Sequence, residues 1–416
     1  MAKVLIHSMI FSPDGVSTAY LMTDLARELK RLGHDITVLT TTPHFNVIPS
    51  VVEGQPLSKR RGNWLFASEC SGIPVWHVHM PKKTGDVRAR LKDMAVFHLL
   101  SLLTGVLYLD HDYDAVLCPS PPLTIGLVGR LLGLLNRCPS IYNIQELYPD
   151  FAIQQGALKN GTMISLLRAI EKVVYRSNTA LVPIAEEFGD VLASRGVPRS
   201  KIWLIPNAVD VDLYRPLPRD NFWAQENGLV DDFVVLYAGN IGLAQDWAPL
   251  IYAARELQGL PLKFVVVGDG ARKGWLEESI RRESLANVTL FEYQRRDLTP
   301  YINAGSDVCT ILLSREGSAA GLPSKIYSNM ASGRATIVSA AEDSPLARVV
   351  YAADCGRVVP PGDPEAYARA IVAAMEDREA LAQQGRHGRE YVVSRYSKRI
   401  MAKKYDRLLH ALLSSR

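Results

Sequence analysis

Lys325 stands where a phosphate-binding group is expected. The stretch SREGSAAGLPSKIYSNMASGRATIVSA, Ser314–Ala340, takes an apolar strand, Val308–Ser314, through a small-residue loop into Pro323-Ser324-Lys325. A helix over Ile326–Ser332 follows, Gly333 stops it, and another strand begins at Ala335. In α/β proteins, ligands bind where a strand's carboxyl end opens onto a helix N-terminus. Pro323 suits a first helical turn, where its missing N–H would be unpaired anyway. The free N–H groups of that turn, the positive end of the helix and the Lys325 ammonium then converge on one place, an anion site suited to phosphate. The alternative is an ordinary βαβ turn that carries a surface lysine.

Three other loops offer similar chemistry. Pro13-Asp14-Gly15 follows the first strand and precedes a helix capped by Ser17 or Thr18, and Gly15 lets backbone amides approach a phosphate. In YAGNIG, Tyr237–Gly242, two glycines flank Asn240 in an amide-lined turn, with Gln245 one turn on. VVVGDG, Val265–Gly270, ends an apolar strand in Gly268-Asp269-Gly270, where Asp269 either caps a helix or meets a base or ribose hydroxyl. None is the GxGxxG fingerprint, and each alone is a weak signal; three such turns in succession in the second half carry more.

Acid–base candidates lie in YNIQELYPD, Tyr142–Asp150. Glu146 and Asp150 are four apart, so a helical turn puts both carboxylates on one face. They are a general base pair, hydroxyl-binding carboxylates or solvated loop acids. His77 and His79 share one face of a strand and, with no third ligand in sight, read as packing and not as a metal site.

The elements that must position these groups alternate. With 416 residues, 48% hydrophobic and 22% charged, the chain is long enough for two full cores. Strands are expected at Val4–Phe11, Asp35–Thr41, Val75–Met80, Ala115–Pro119, Ser140–Gln145, Ala180–Ile184 and Ile202–Ile205. After the proline-rich stretch 206–218 a second series follows, at Phe233–Ala238, Leu262–Val267, Val288–Phe291, Val308–Leu313, Ala335–Ser339 and Gly356–Val359. Strands alternating with amphipathic helices mean parallel sheets covered on both faces.

Two segments break the rhythm. Pro43–Trp64 is polar and basic and reads as a long loop. In Arg88–Leu109, Arg88, Arg90 and Lys92 lead into MAVFHLLSLLTGVLYL, which is shorter than the ~20 residues a membrane span needs. It reads either as a helix buried on the sheet or as an interfacial helix with its basic end among lipid headgroups. The tail, Ser394–Leu413, is helical and basic.

A net charge of +4 argues against a nucleic-acid partner. Five scattered cysteines without CxxC spacing read as reduced thiols, neither a disulfide frame nor a zinc site. No leader pattern opens the chain, so a cytoplasmic location is expected.

Taken in order, GHDITVLTT, IPNAVDVDLY, YAGNIG, VVVGDG, AGSDV and GLPSKIYSNMASGRATIVSA resemble a GT-B glycosyltransferase of family 4, over nearly the whole chain. NIQELYPD and YAGNIG with its following Ala-Gln resemble most the bacterial branch that transfers fucose-type or N-acetylated deoxysugars in capsule, O-antigen or colanic acid assembly. The resemblance implies an α/β fold of two Rossmann-like, doubly wound parallel-sheet domains facing a cleft. Residues 1–206 would take the acceptor and 207–393 the nucleotide sugar, with a helix over 394–416 packing back on the first domain.

The implied reaction is retaining transfer from a UDP- or GDP-sugar to a lipid-linked (polyprenyl-diphosphate) or other saccharide. It would occur at the inner face of the plasma membrane, with 88–109 touching lipid. Neither a metal nor a cofactor is implied, because basic side chains and helix ends neutralise the departing diphosphate. Glu146, Asp150 and Lys325 are then the catalytic candidates. Gly15, Asn240, Gln245, Pro323, Ser324 and Lys325 would meet the diphosphate or, for Gly15, the acceptor. Gly268, Asp269, Gly270, Tyr293 and Gln294 would frame the base, and Ser328 would face the ribose.

The chain departs from the family pattern in two places. The family's two glutamates eight residues apart are missing: the second position falls on Ser328 and the first on Ala320 or Ser318, with Glu316 the nearest carboxylate. Asn240 and Gln245 occupy the region where an Arg and a Lys often follow the second domain's first strand, leaving Lys325 as the main cation. Two rivals stay open, an NDP-sugar 2-epimerase of the same fold and a non-catalytic nucleotide-sugar-binding subunit.

Overall fold

The computed structural model describes residues 1–45, 47–81, 87–154, 158–319 and 322–414. They form two compact units: Met1–Asn207 with Lys398–Arg416 as unit 1, and Ala208–Ser397 as unit 2. The side chains of Arg88 and Arg90, and residue Ala320, lie outside what is described.

Unit 1 is built on β1 (Lys3–His7), β2 (Asp35–Thr41), β3 (Ser58–Arg61), β4 (Leu65–Cys70), β5 (Ile73–Val78), β6 (Ala115–Pro119), β7 (Ser140–Ile144) and β8 (Ala180–Pro183). Their order across the sheet is β3-β4-β5-β2-β1-β6-β7-β8, parallel except where β4 runs against β3 and β5. AVLCP of β6 and SIYNI of β7 are buried at every position, as strands covered on both faces must be. The chain leaves β1 towards β2 on one side and later returns to β6 on the other, so the β1/β6 boundary is the topological switch point. The helix Lys398–Ser414 packs along Ser17–Arg31, and His34 Nε2 stands 2.9 Å from an Asp406 oxygen.

Two expectations are corrected in this unit. The segment Pro43–Trp64 is not a plain loop; it holds the helix Pro49–Glu53 and β3, and leads directly into β4. Gln55 ties it down, accepting from Ser12 Oγ at 2.7 Å and donating to Ser68 Oγ at 2.9 Å. Ile202–Ile205 forms no strand, only an isolated bridge from Ile202 to Leu181.

Unit 2 holds β9 (Phe233–Ala238), β10 (Leu262–Val267), β11 (Val288–Phe291), β12 (Val308–Leu312), β13 (Ala335–Ser339) and β14 (Gly356–Val359), all parallel, in the order β11-β10-β9-β12-β13-β14. Here the switch point is the β9/β12 boundary. Among the described residues no helix is long and apolar enough to cross a membrane.

Candidate active site

At the β9/β12 switch point, the turns after β9 and β10 lean on each other. Gly239 N–H donates to Val267 O and Ile241 N–H to Asp269 O, both at 2.8 Å. A Cβ on Gly268 would stand 1.9 Å from the Gly239 carbonyl oxygen, and one on Gly270 would stand 2.3 Å from that of Ile241. These glycines are therefore required by loop–loop contact, whatever the ligand.

Lys325 opens the seven-residue helix Lys325–Ala331, and its side chain reaches back to the end of β9. Nζ donates to Tyr237 Oη at 2.5 Å and lies 3.8 Å from the centre of that ring. A Cβ on Gly239 would meet Nζ at 3.2 Å, so the ammonium stands against the β9 turn. No carboxylate pairs with it among the described residues. The residue keeps some exposure, but its ammonium end is desolvated, which pushes its pKa down to about 7.

Tyr237 is what holds it there. The ring is fully buried and packs edge-on against Trp247 with centres 4.6 Å apart. Its hydroxyl donates to the Asn240 carbonyl at 2.6 Å, so its oxygen is left to accept from Lys325. Nothing in the sequence marks Tyr237 for this role, because its partner is 88 positions away.

Several residues assigned to ligand contact make internal bonds instead. The Gln245 side chain accepts from Gly242 N–H at 2.8 Å, and Asp269 accepts from Gly270 N–H at 2.8 Å; both brace their own turns. Ser318 is buried, donates to Ser314 O at 2.9 Å and accepts from Ala341 N–H, which makes it part of the loop scaffold. Ser328 Oγ donates to Lys325 O at 3.0 Å, so only its lone pairs are free for a ribose. Glu316 is exposed in the short helix Arg315–Ala319.

The helix start also differs from expectation. Ile326 N–H closes onto Pro323 O and Tyr327 N–H onto Ser324 O, at 3.2 and 3.1 Å. Ser324 has helical angles and makes no side-chain cap. Two of the amides expected to face an anion are thus spent inside the turn, and the lysine carries the site. Tyr293 and Gln294 follow edge strand β11, the tyrosine well exposed and the Gln294 amide donating to Glu292 O at 3.0 Å.

The carboxyl edge of unit 1 is different. Glu146, just past β7, is half-buried with no bonded partner among the described residues, and burial raises its pKa. Asp150 does not share that environment. Despite its own desolvation, hydrogen bonds from Arg168 and Arg195 hold its carboxyl below the usual range, and both arginines also pair with Glu171. That four-membered ion network makes Asp150 an anchor and removes it as a base. The Gly15 amide is likewise occupied, donating to Phe45 O at 3.2 Å.

Asp14 was not singled out as a titrating group, yet it is buried and accepts from the His44 and Phe45 amides at 2.8 Å each. Burial lifts its pKa to about 6. Its donors lie 30 and 31 positions away, so no local pattern reveals it. His77 bonds to Ser68 Oγ and Thr41 O, each at 2.8 Å, and burial lowers it to about 4, a neutral packing residue. Among the described residues no three of His, Cys, Asp and Glu group as a metal site.

Among the described residues no carboxylate offsets this desolvated cation at the ligand edge of a doubly wound sheet, an arrangement that an anion would relieve. Comparison with known proteins identifies the family. Residues 18–208 match the glycosyl transferase 4-like domain, and residues 232–377 match glycosyl transferases group 1. Two bacterial relatives carry provisional names: WcaI of Escherichia coli, a colanic acid biosynthesis glycosyl transferase, and WbjE of Pseudomonas aeruginosa, a glycosyltransferase. WcaI is 24% identical over 81% of this chain and 83% of its own. WbjE is also 24% identical, over 72% and 75%. Among solved structures, Anabaena HepE with UDP and glucose superposes with a TM-score of 0.74 at 17% identity, covering 99% of this chain and all of its own. Sucrose-phosphate synthase of Thermosynechococcus elongatus gives 0.77 at 16%, covering both chains fully. The chain belongs to the GT-B glycosyltransferases of the family 4 and group 1 type, with the 4-like domain in unit 1 and the group 1 domain in unit 2.

Proposed function

We propose that the protein is a retaining, metal-independent transferase of the bacterial cytoplasm. It moves a fucose-type or N-acetylated deoxysugar from a UDP- or GDP-sugar to a polyprenyl-diphosphate-linked saccharide in surface polysaccharide assembly. Lys325 carries this reading: its ammonium is anchored on Tyr237 against the β9 turn and, among the described residues, has no carboxylate to neutralise it. A departing nucleoside diphosphate needs preorganised positive charge in a site shielded from water, and a fixed lysine supplies it without a metal. The printed contents of the HepE crystals (UDP, UDP with glucose, and UDP-glucose) support a nucleotide-sugar donor. The name of WcaI supports an envelope polysaccharide product.

Unit 2 holds the donor. The diphosphate rests on Lys325, Ser324 and the Asn240 turn, the ribose on Ser328, and the base near Tyr293 and Gln294. Unit 1 holds the acceptor, whose hydroxyl hydrogen-bonds Glu146. In the reaction the acceptor oxygen forms its bond to the anomeric carbon on the face from which the diphosphate departs, so configuration is kept. The hydroxyl proton passes to the leaving phosphate oxygen. The enzyme meets its lipid-linked acceptor at the inner face of the plasma membrane through the helix Val87–Leu107.

Calorimetry with UDP and GDP, in EDTA and again in magnesium, tests the site. One nucleotide should bind tightly and equally in both, and Lys325→Ala should abolish that binding. Absence of binding for both at millimolar concentration would overturn the assignment.

A further inference from the structure

The helix Val87–Leu107 seats Phe97 in the core, yet it also buries polar groups and exposes apolar ones. Ser101 and Thr104 are fully buried, and His98 turns inward to Thr124 Oγ1 at 2.7 Å. Leu99, Leu103, Val106 and Leu107 face outward, exposed by 40% to 64%. A surface helix in water arranges these residue types the other way round.

Two neighbours continue the surface. A Cβ on Gly105 would stand 2.3 Å from Leu132 Cδ2, so the helix Ile125–Leu135 lies directly alongside. Gly126 of that helix packs as closely on Val174 of the helix Gly161–Ser177, and Asn178 Nδ2 bonds to its carbonyl at 3.1 Å. Their outward positions include Leu131, Leu134, Leu166 and Val173, all at least half exposed. Isolated surface leucines are ordinary; exposed apolar residues on three helices packed side by side point to an interaction surface.

Charge identifies the occupant. The acids on the three helices are Asp93 and Glu171, and Glu171 is buried in ion pairs with Arg168 and Arg195, while Asp110 and Asp112 just past Leu107 are both paired with Lys3. Lys92, Lys172 and Arg176 are exposed on the helices, with Arg137 and Lys159 just beyond their ends. A second copy would bring like charges together, whereas anionic headgroups complement an apolar face rimmed by lysine and arginine.

We infer that this three-helix face of unit 1 lies in the headgroup region of an anionic lipid bilayer. It deepens, and rests on, the membrane contact proposed for the Val87–Leu107 helix. The leucines enter the boundary of the acyl chains, and the basic groups stay at the phosphates.

Sedimentation of the full chain with neutral phosphatidylcholine vesicles, and with vesicles containing phosphatidylglycerol, tests it. The protein should partition into the anionic vesicles and lose most of that binding in high salt. The pairs Leu99→Ser with Leu103→Ser, and Leu166→Ser with Val173→Ser, should each cut partitioning by about 10-fold or more. Lys172→Glu with Arg176→Glu should do so for anionic vesicles by a similar factor. UDP or GDP binding at unit 2 serves as the folding control and should not change in any of them.

Failure to bind either vesicle, binding that all three double variants retain, or a vesicle-independent dimer broken by the leucine pairs would overturn the inference. Loss of nucleotide binding by the unmodified protein would instead strike the transferase reading, so the two failures are told apart.

Discussion

The carboxyl edges of the two sheets are built from opposite electrostatic materials. In unit 2, a lysine is held at the switch point with no acid paired to it among the described residues, and the carboxylate of Asp269 is turned onto its own backbone. In unit 1, desolvated acids occupy the equivalent edge: Glu146, without a partner among the described residues, and Asp14 on two amides. Both arrangements are unfavourable in an empty protein, because burial disfavours a charged group unless something compensates. The first is relieved by an anion and the second by a proton or a hydroxyl donor. On the proposed reading, the first arrangement suits unit 2 to a diphosphate and the second suits unit 1 to a sugar hydroxyl.

The largest test of that contrast is Lys325→Ala. Turnover should fall by ~10²–10³-fold, in line with loss of a charge that stabilises a leaving group. The melting temperature should hold within a few degrees, because the lysine has no ion pair to lose. An unchanged rate in a single-turnover transfer assay would remove the lysine from the site.

Next in size is the pH dependence. Lys325 is about half neutral near pH 7, and a bound diphosphate favours its charged form. Nucleotide affinity should be nearly flat below pH 7 and weaken by up to ~10-fold per unit above it, with proton uptake on binding. The Lys325→Arg variant should lose this slope, which calorimetry in buffers of different ionisation enthalpy can read. For the empty protein the sign reverses. Between about pH 7 and the usual 10.5, the unfolded chain holds a proton that the native chain lacks, so this group's contribution to stability rises with pH.

Smaller is Glu146→Gln in unit 1, expected to cost ~10–10²-fold in kcat and to leave nucleotide binding unchanged. If Glu146→Gln weakened nucleotide binding as much as turnover, the division of labour would be wrong. Asp150→Asn should instead lower stability, by about 1–2 kcal/mol, with kcat per folded molecule preserved. Smallest is Tyr237→Phe, which keeps the ring and its contact with Trp247 but removes the hydroxyl. It should weaken nucleotide binding ~5–10-fold by freeing the lysine, as expected for one lost hydrogen bond to a charged group.

Much of the fold was legible. Strands β6, β9, β10 and β13 begin and end where their apolar runs do, because a parallel strand buried on both faces has no reason to alternate. The hairpin β3–β4 was not legible, since SKRR is exposed at all four positions and its charge reads as a loop. Such composition is how an edge strand avoids pairing with other chains. Ile202–Ile205 failed in the other direction: it is apolar enough for a strand but finds only one bridge.

For the site, the residue types on the chain told which atoms could do chemistry but not which were already engaged. Lys325 and Glu146 are candidates that local pattern alone can name, as is the order of the turns. Gln245 and Asp269 brace their own turns through bonds to near neighbours, whereas the partners of Ser318 and of the Gly15 amide, Ala341 and Phe45, are ones that only folding brings near. So was the separation of Glu146 from Asp150, four residues apart yet in opposite states because Arg168 and Arg195 reach only the second. The sequence by itself determined two parallel-sheet units and a lysine at the start of the helix after β12, since hydrophobic periodicity and residue type are local properties. Hydrogen-bond satisfaction, desolvation and ion pairing depend on neighbours distant in the chain. The tertiary structure therefore decided that Tyr237 anchors the lysine, that Asp150 is an anchor, and that the helix Val87–Leu107 turns its leucines outward.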